Sequence, residues 1–191
     1  MKRAVTRTFK ALGWILAAAL LVPLIGFVYY DLTRFQPHSE QISRIISDAH
    51  ANERSPPTML RKLLKEPRDD LSLDASRLLV FELEPDATRQ GNFVWQRTSF
   101  LWWLLVKVHL SEDEQRTIIC STSFLGQRVY GFEAGANKFF DRPLDRLTDF
   151  ELATLAVRAH SPSRWQQAER QDELTKAADN LLARVRGTRV E

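Results

Sequence analysis

Leu110 to Trp165 reads LSEDEQRTIICSTSFLGQRVYGFEAGANKFFDRPLDRLTDFELATLAVRAHSPSRW, and its punctuation fixes the architecture of the body. Ser111-Glu112-Asp113-Glu114 predicts a helix start. The Ser111 hydroxyl can accept the third amide while Glu114 reaches back, and the added acids favour the positive end of the helix dipole. These carboxylates need no catalytic role. Thr148-Asp149-Phe150-Glu151 repeats the arrangement, with Leu147 and Leu152 placed as a hydrophobic staple. The helix that follows runs to His160 and is stopped by Ser161-Pro162. Gly126 and Gly131 bracket a turn between the two helical regions, and Cys120, inside the apolar run IIC, reads as a small core residue.

Working outward, Gln166 to Arg186 carries Leu174, Ala178, Leu181, Leu182 and Val185 on one stripe, a terminal amphipathic helix ending near Gly187. Upstream, Ser99 to Leu110 (SFLWWLLVKVHL) is the most apolar part of the body and too short to span a bilayer. It reads as a buried core helix, with Trp102 and Trp103 as the feature that would suit a membrane-dipping surface instead. Between Pro67 and Gly91 the signals leave helix and strand open. Pro57 opens a short helix, TMLRKLLKE, whose Met59, Leu60, Leu63 and Leu64 form a stripe ending before Pro67. Residues 31–57, polar and broken by Pro37, Pro56 and Pro57, read as a stalk on which Ile42, Ile45 and Ile46 fall at helical spacing.

At the N-terminus, residues 11–30 (ALGWILAAALLVPLIGFVYY) form an uncharged stretch long enough, as a helix, to cross a bilayer. Lys2, Arg3, Arg7 and Lys10 precede it without an acid, so the charge bias predicts a cytoplasmic N-terminus and an external body. Subtracting those four from the formal net charge of +3 leaves −1 for the rest of the chain. The basic balance belongs to the tail and gives no nucleic-acid surface. The expected organisation is a basic tail (1–10), an uncleaved transmembrane anchor (11–30), a stalk (31–57), a mainly α domain (58–165) and a C-terminal amphipathic helix (166–191).

The chemistry is narrowed by what the chain lacks. One cysteine cannot form an internal disulfide. His38, His50, His109 and His160 are scattered and show no metal-ligand spacing, so neither a resident metal nor an organic cofactor is expected. No G-x-S-x-G elbow, phosphate-binding glycine loop or dinucleotide fingerprint occurs.

The stretch quoted first resembles the C-terminal half of the peptidoglycan glycosyltransferase (transglycosylase) domain of monofunctional transglycosylases and class A penicillin-binding proteins. Tyr130-Gly131-Phe132-Glu133-Ala134-Gly135-Ala136 looks like the family's Y-G-x-E-A-A-A, and Phe139 to Leu144 sits where it has Y-F-G-K-x-L. Leu147-Thr148 through Ala156 is similar to its L-T-x-x-E-A-A-x-L-A, and Ser161 to Trp165 to its A-P-S-x-Y. The resemblance implies a lysozyme-like helical domain, reduced in size, and marks Gly126, Tyr130, Gly131, Glu133 and Arg164 as motif or groove residues. Read without it, the same stretch is two capped helices joined by a glycine turn, with Glu133 a buried carboxylate bonded to backbone amides.

The family's reaction extends a glycan from a lipid-linked disaccharide, with one glutamate as base on the acceptor hydroxyl and basic groups with a second glutamate on the pyrophosphate. The front-half motifs, E-D-x-x-F-x-x-H-x-G and G-x-S-T-I-T-Q-Q, are absent. Glu66 is the nearest candidate base, but Pro67-Arg68-Asp69-Asp70 follow it. Ser99 falls where the second glutamate would stand, and Ile119-Cys120-Ser121 replace Tyr-Leu-Asn. The expectation is a catalytically degenerate, periplasm-facing protein that binds glycan, lipid-linked precursor or a cell-wall synthesis partner. Two alternatives stand beside it. One is an active polymerase with Glu66 as base and Arg61, Lys62 or Lys65 on pyrophosphate, which requires Glu66 and Glu133 to open into one cleft. The other is a membrane-anchored docking protein that shares only the fold.

Overall fold

The computed structural model describes Trp14 and residues 19–66, 70–166 and 170–187. The chain divides into two compact units, residues 1–40 and 41–191. In the first, residues 19–30 are helical (α1), followed by a π turn, Asp31–Phe35, and a 3-10 turn, Gln36–His38. Leu20, Leu24 and Ile25 of α1 are exposed. No helix among the described residues is long and apolar enough to cross a membrane. Residues 11–13 and 15–18 of the expected span lie outside the described residues.

The second unit is mainly helical. Its elements are α2 (Ser39–Asp48, which enters from the first unit), α3 (Ala51–Arg54), α4 (Thr58–Lys65), α5 (Leu71–Leu83), α6 (Pro85–Arg89), α7 (Asn92–His109) and α8 (Glu112–Thr122). After them come a hairpin of β1 (Phe124–Gly126) and β2 (Val129–Tyr130), then α9 (Phe132–Phe140), a 3-10 turn at Leu144–Arg146, α10 (Asp149–His160) and α11 (Gln171–Arg186). Both expected capping boxes form. The Ser111 and Thr148 hydroxyls each accept the third amide at 3.3 Å, while Glu114 and Glu151 accept the cap N–H at 2.8 Å. Glu112 and Asp113 pair with Arg116, and Glu112 also pairs with Lys65 of α4 at 2.6 Å. Gly187 closes α11 in the left-handed conformation.

α10 is the hub, packing on α4, α9, β1 and α11. Leu60 and Leu63 from α4, Cys120 from α8, Leu125 from β1 and Phe132 from α9 meet Leu152 and Leu155 from α10 and Leu181 from α11 in one core. Each fully buried Leu or Phe there contributes roughly 1.5–3 kcal/mol of apolar burial. Gly135 lets α9 close onto the hairpin, because a Cβ at that position would stand 2.2 Å from a Leu125 methyl. Cys120 is fully buried, and desolvation pushes its thiol pKa far up, so it stays protonated.

Three readings change. Residues 41–57, expected as stalk, fall in the compact second unit, where Ile42 and Glu53 are buried. The ambiguous stretch Leu78–Leu83 is the end of α5, a helix whose start Asp70 caps by accepting from the Ser72 amide at 3.1 Å. α11 begins at Gln171 rather than Gln166, because Arg164–Gln166 form a 3-10 turn first. Far from being an appendage, α11 packs on α4 and α10 and sends Ala178, Leu181 and Leu182 into the core.

Candidate functional site

The expected site residues fall into two places within the second unit. The first is a carboxylate knot between α3 and α9. Gly131 caps α9 with a positive φ of 85° and brings its backbone within reach of Glu53: the Glu133 N–H donates to Glu53 Oε1 at 3.0 Å. The second Glu53 oxygen accepts the His50 N–H at 3.2 Å. Glu133 in turn accepts the Leu144 N–H at 3.2 Å and the Asn52 amide at 3.1 Å, while His50 Nδ1 lies 3.7 Å away. Burial raises the Glu53 pKa against the lowering effect of the Glu133 and His50 amides, and the neighbouring Glu133 charge raises it further. Both acids are thus spent on backbone donors from three elements. Their chemistry is structural: they lock α3, α9 and the Leu144 turn together.

Glu53, His50 and Asn52 were not marked by the sequence reading. The available signal was a capping pattern, a side-chain acceptor at position 50 and Glu three residues on, and it is realised with His50 as the cap.

The second place is a cleft of about 540 Å³ walled by α4, α5, α8, α10 and α11, in the size range of small-ligand sites. Leu63, Leu64, Leu78, Ile119 and Leu181 give it an apolar floor. Arg77, Arg164, Arg184 and His160 stand around it, with Asp74 the one acid among the described residues of its lining. Trp165 contributes an indole whose N–H donates to the Val157 carbonyl at 3.1 Å, and the Arg164 guanidinium lies 4.8 Å from its ring centroid. Arg164 pairs with Glu173 at 3.0 Å and Arg184 with Glu66 at 2.7 Å. Each of these surface pairs leaves guanidinium donors for a ligand and is weak enough to exchange.

The structure therefore brings Gly131 and Glu133 together, and separately brings Arg164 to a cleft that Glu66 touches only through Arg184. Among the described residues Glu66 and Glu133 share no partner, and neither lines this cleft. Glu66 ends α4 with its side chain mostly covered and committed to Arg184, whereas Glu133 faces α3. Tyr130 is exposed on the hairpin, its ring 5.0 Å from that of Phe124, and Gly126 ends β1. Among the described residues no group of three His, Cys, Asp or Glu could hold a metal ion. The cleft can bind an anion against an apolar surface. Among the described residues its lining contains no glutamate to serve as a general base.

Comparison with known proteins places the same segment. Residues 106–186 match the family described as Transglycosylase. A protein named penicillin-binding protein 1A from Pseudomonas aeruginosa is 26% identical over 98 residues, which is 51% of this chain and 12% of the relative. One named biosynthetic peptidoglycan transglycosylase from Aeromonas hydrophila is 31% identical over 85 residues, 41% of this chain and 36% of the relative. The chain thus spans well under half the length of either relative. No solved structure matches it.

Proposed function

We propose, from the match of residues 106–186 to the transglycosylase family, that the protein serves bacterial peptidoglycan synthesis as a binding component rather than a polymerase. In this reading the body is a reduced, lysozyme-like helical domain. It is held at the outer face of the plasma membrane by residues 11–30, with the N-terminus in the cytoplasm, and it takes up glycan or lipid-linked precursor in the cleft around Arg164. The observation that carries the reading is the composition of that cleft: three arginines over an apolar floor, with Glu66 tied to Arg184 and Glu173 to Arg164. Arginine holds a phosphate or carboxylate by charge and paired N–H donors, which is binding chemistry and asks for no base.

The test is a polymerisation and binding assay on the full chain in detergent with lipid-linked disaccharide pyrophosphate. No glycan chains form, while the precursor binds saturably, and Arg164→Ala weakens binding about tenfold, the effect of losing one charge-assisted hydrogen bond. Chains that grow, and stop growing on Glu66→Gln, would replace this reading with the active-enzyme one. Absence of any precursor or glycan binding leaves the third reading, a docking protein for other cell-wall synthesis proteins.

A further inference from the structure

Along α7, residues 92–109, the helix is apolar on nearly every side, and such helices are normally enclosed. Here only half of it is. At about 100° per residue, Thr98, Ser99, Trp102, Leu105 and Val106 point one way and are buried, and α5 is the main neighbour of the helix. On the opposite half, Phe93, Phe100, Leu104 and Val108 fall within about 80° of arc. Phe93 is 77% exposed, Phe100 55% and Val108 68%. Interspersed on that half are Arg97, which has no acid partner among the described residues, and Lys107. The eighteen residues of α7 contain no Asp or Glu.

At one edge stands Trp103. Its indole N–H donates to Asp70 at 2.9 Å, and the Lys107 ammonium lies 4.5 Å from its ring centroid while pairing with Asp70 at 2.8 Å. An amphipathic indole beside a lysine stem, phenylalanines at the centre and a cation without an acid anywhere on the helix are the composition of a surface that settles into a bilayer interface. A protein partner of ordinary surface chemistry would be met by charges of both signs, and α7 offers one.

We propose that the outer face of α7 lies on an anionic lipid bilayer, with Phe93, Phe100 and Val108 in the headgroup–acyl boundary and Arg97 on lipid phosphate. The inference is independent of what the Arg164 cleft binds. It concerns how the body is seated on the membrane rather than whether an N-terminal anchor exists.

Because Cys120 is buried, a cysteine introduced at an exposed position is the reactive thiol to label. The full chain is reconstituted into vesicles of phosphatidylcholine doped with phosphatidylglycerol. An environment-sensitive fluorophore is attached at Phe93→Cys, Phe100→Cys or Val108→Cys and, for reference, at Lys138→Cys on α9. The α7 labels shift to the blue and are quenched by lipids carrying a spin label near the headgroup, whereas the Lys138→Cys label stays in water. Adding Arg97→Glu to the Phe100→Cys protein reduces quenching in doped vesicles more than in pure phosphatidylcholine. Overturning results are α7 labels as aqueous as the reference, equal quenching of all four, or a blue shift that appears in detergent and grows with protein concentration, which would make the face a contact between copies.

Discussion

Gly131→Ala is the substitution that most directly interrogates the carboxylate knot. A Cβ at that position would sit 2.8 Å from Glu53 Oε1 and 3.1 Å from the Ser121 carbonyl oxygen, and the backbone there, at φ 85° and ψ 146°, is one that residues with a Cβ rarely adopt. The conformational strain alone costs about 1–3 kcal/mol. The Ser121 carbonyl belongs to α8 and cannot retreat cheaply, so Glu53 must move and loosen its bonds to the Glu133 and His50 amides. Each charge-assisted bond contributes roughly 1.5–3 kcal/mol, and weakening rather than losing them brings the expected total to about 3–5 kcal/mol. For a domain of this size that lowers the melting temperature by about 10 °C.

Urea unfolding followed by circular dichroism measures the loss, and a double-mutant cycle with Glu53→Ala isolates the collision. Once the carboxylate is gone, alanine at 131 meets only the strain and the Ser121 carbonyl, so its cost falls by at least about 1 kcal/mol. A melting temperature within about 2 °C of the parent, or two substitutions that simply add, would show that Glu53 does not hold the α9 cap.

Two further outcomes follow from buried charge. The Arg158 guanidinium is buried, its Nε has no hydrogen-bond partner, one terminal nitrogen reaches the Trp165 carbonyl at 3.5 Å, and it stands 4.2 Å from the Phe139 ring centroid; burial pushes its pKa down. Arg158→Met therefore stabilises the fold by about 1 kcal/mol in urea titrations, and a comparable loss would mean that the ring contact outweighs desolvation. At Asp70, burial alone would raise the carboxyl, but Lys107, Ser72 and Trp103 donate to it and hold its pKa down at about 2 from an ordinary 3.8. Because the folded pKa is the lower one, this contribution is full above pH of about 4 and disappears as the pH falls towards 2. With the side chain 36% exposed, screening reduces it to about 1 kcal/mol. Lys107→Met flattens that acid limb of the stability profile, and an unchanged limb would refute the assignment.

Local signals carried much of the fold. The Ser111 and Thr148 caps, the Leu60–Leu63 stripe and the Gly187 stop each act within one turn of helix, so their residues announce them without knowledge of the rest. The strand-or-helix ambiguity before Pro85 arose because the buried face of α5 carries Ser72 and Ser76 while Phe81 is exposed, which blurs the apolar 3.6-residue period. α7 blurs its period for a related reason, its outer half being apolar as well. At the site, the Glu133 contacts were legible only as a generic buried carboxylate, because its partners come from positions 52 and 144, which no periodicity connects. Of the Arg164 cleft only Arg164 itself was marked, through the resemblance, and the rest was illegible for the same reason. Arg77 and Arg184 are each unremarkable on a solvated helix face, and they become a site only when α5 and α11 meet across α10.

The bond between Glu66 and Arg184 joins residues 118 positions apart, and beside it Ala178, Leu181 and Leu182 complete a core whose first members are Leu60 and Leu63. During synthesis that apolar seam stays open to water until the sixteen residues of α11 have emerged to close it. A chain shortened to end near Trp165 would leave this seam open to chaperones and proteases.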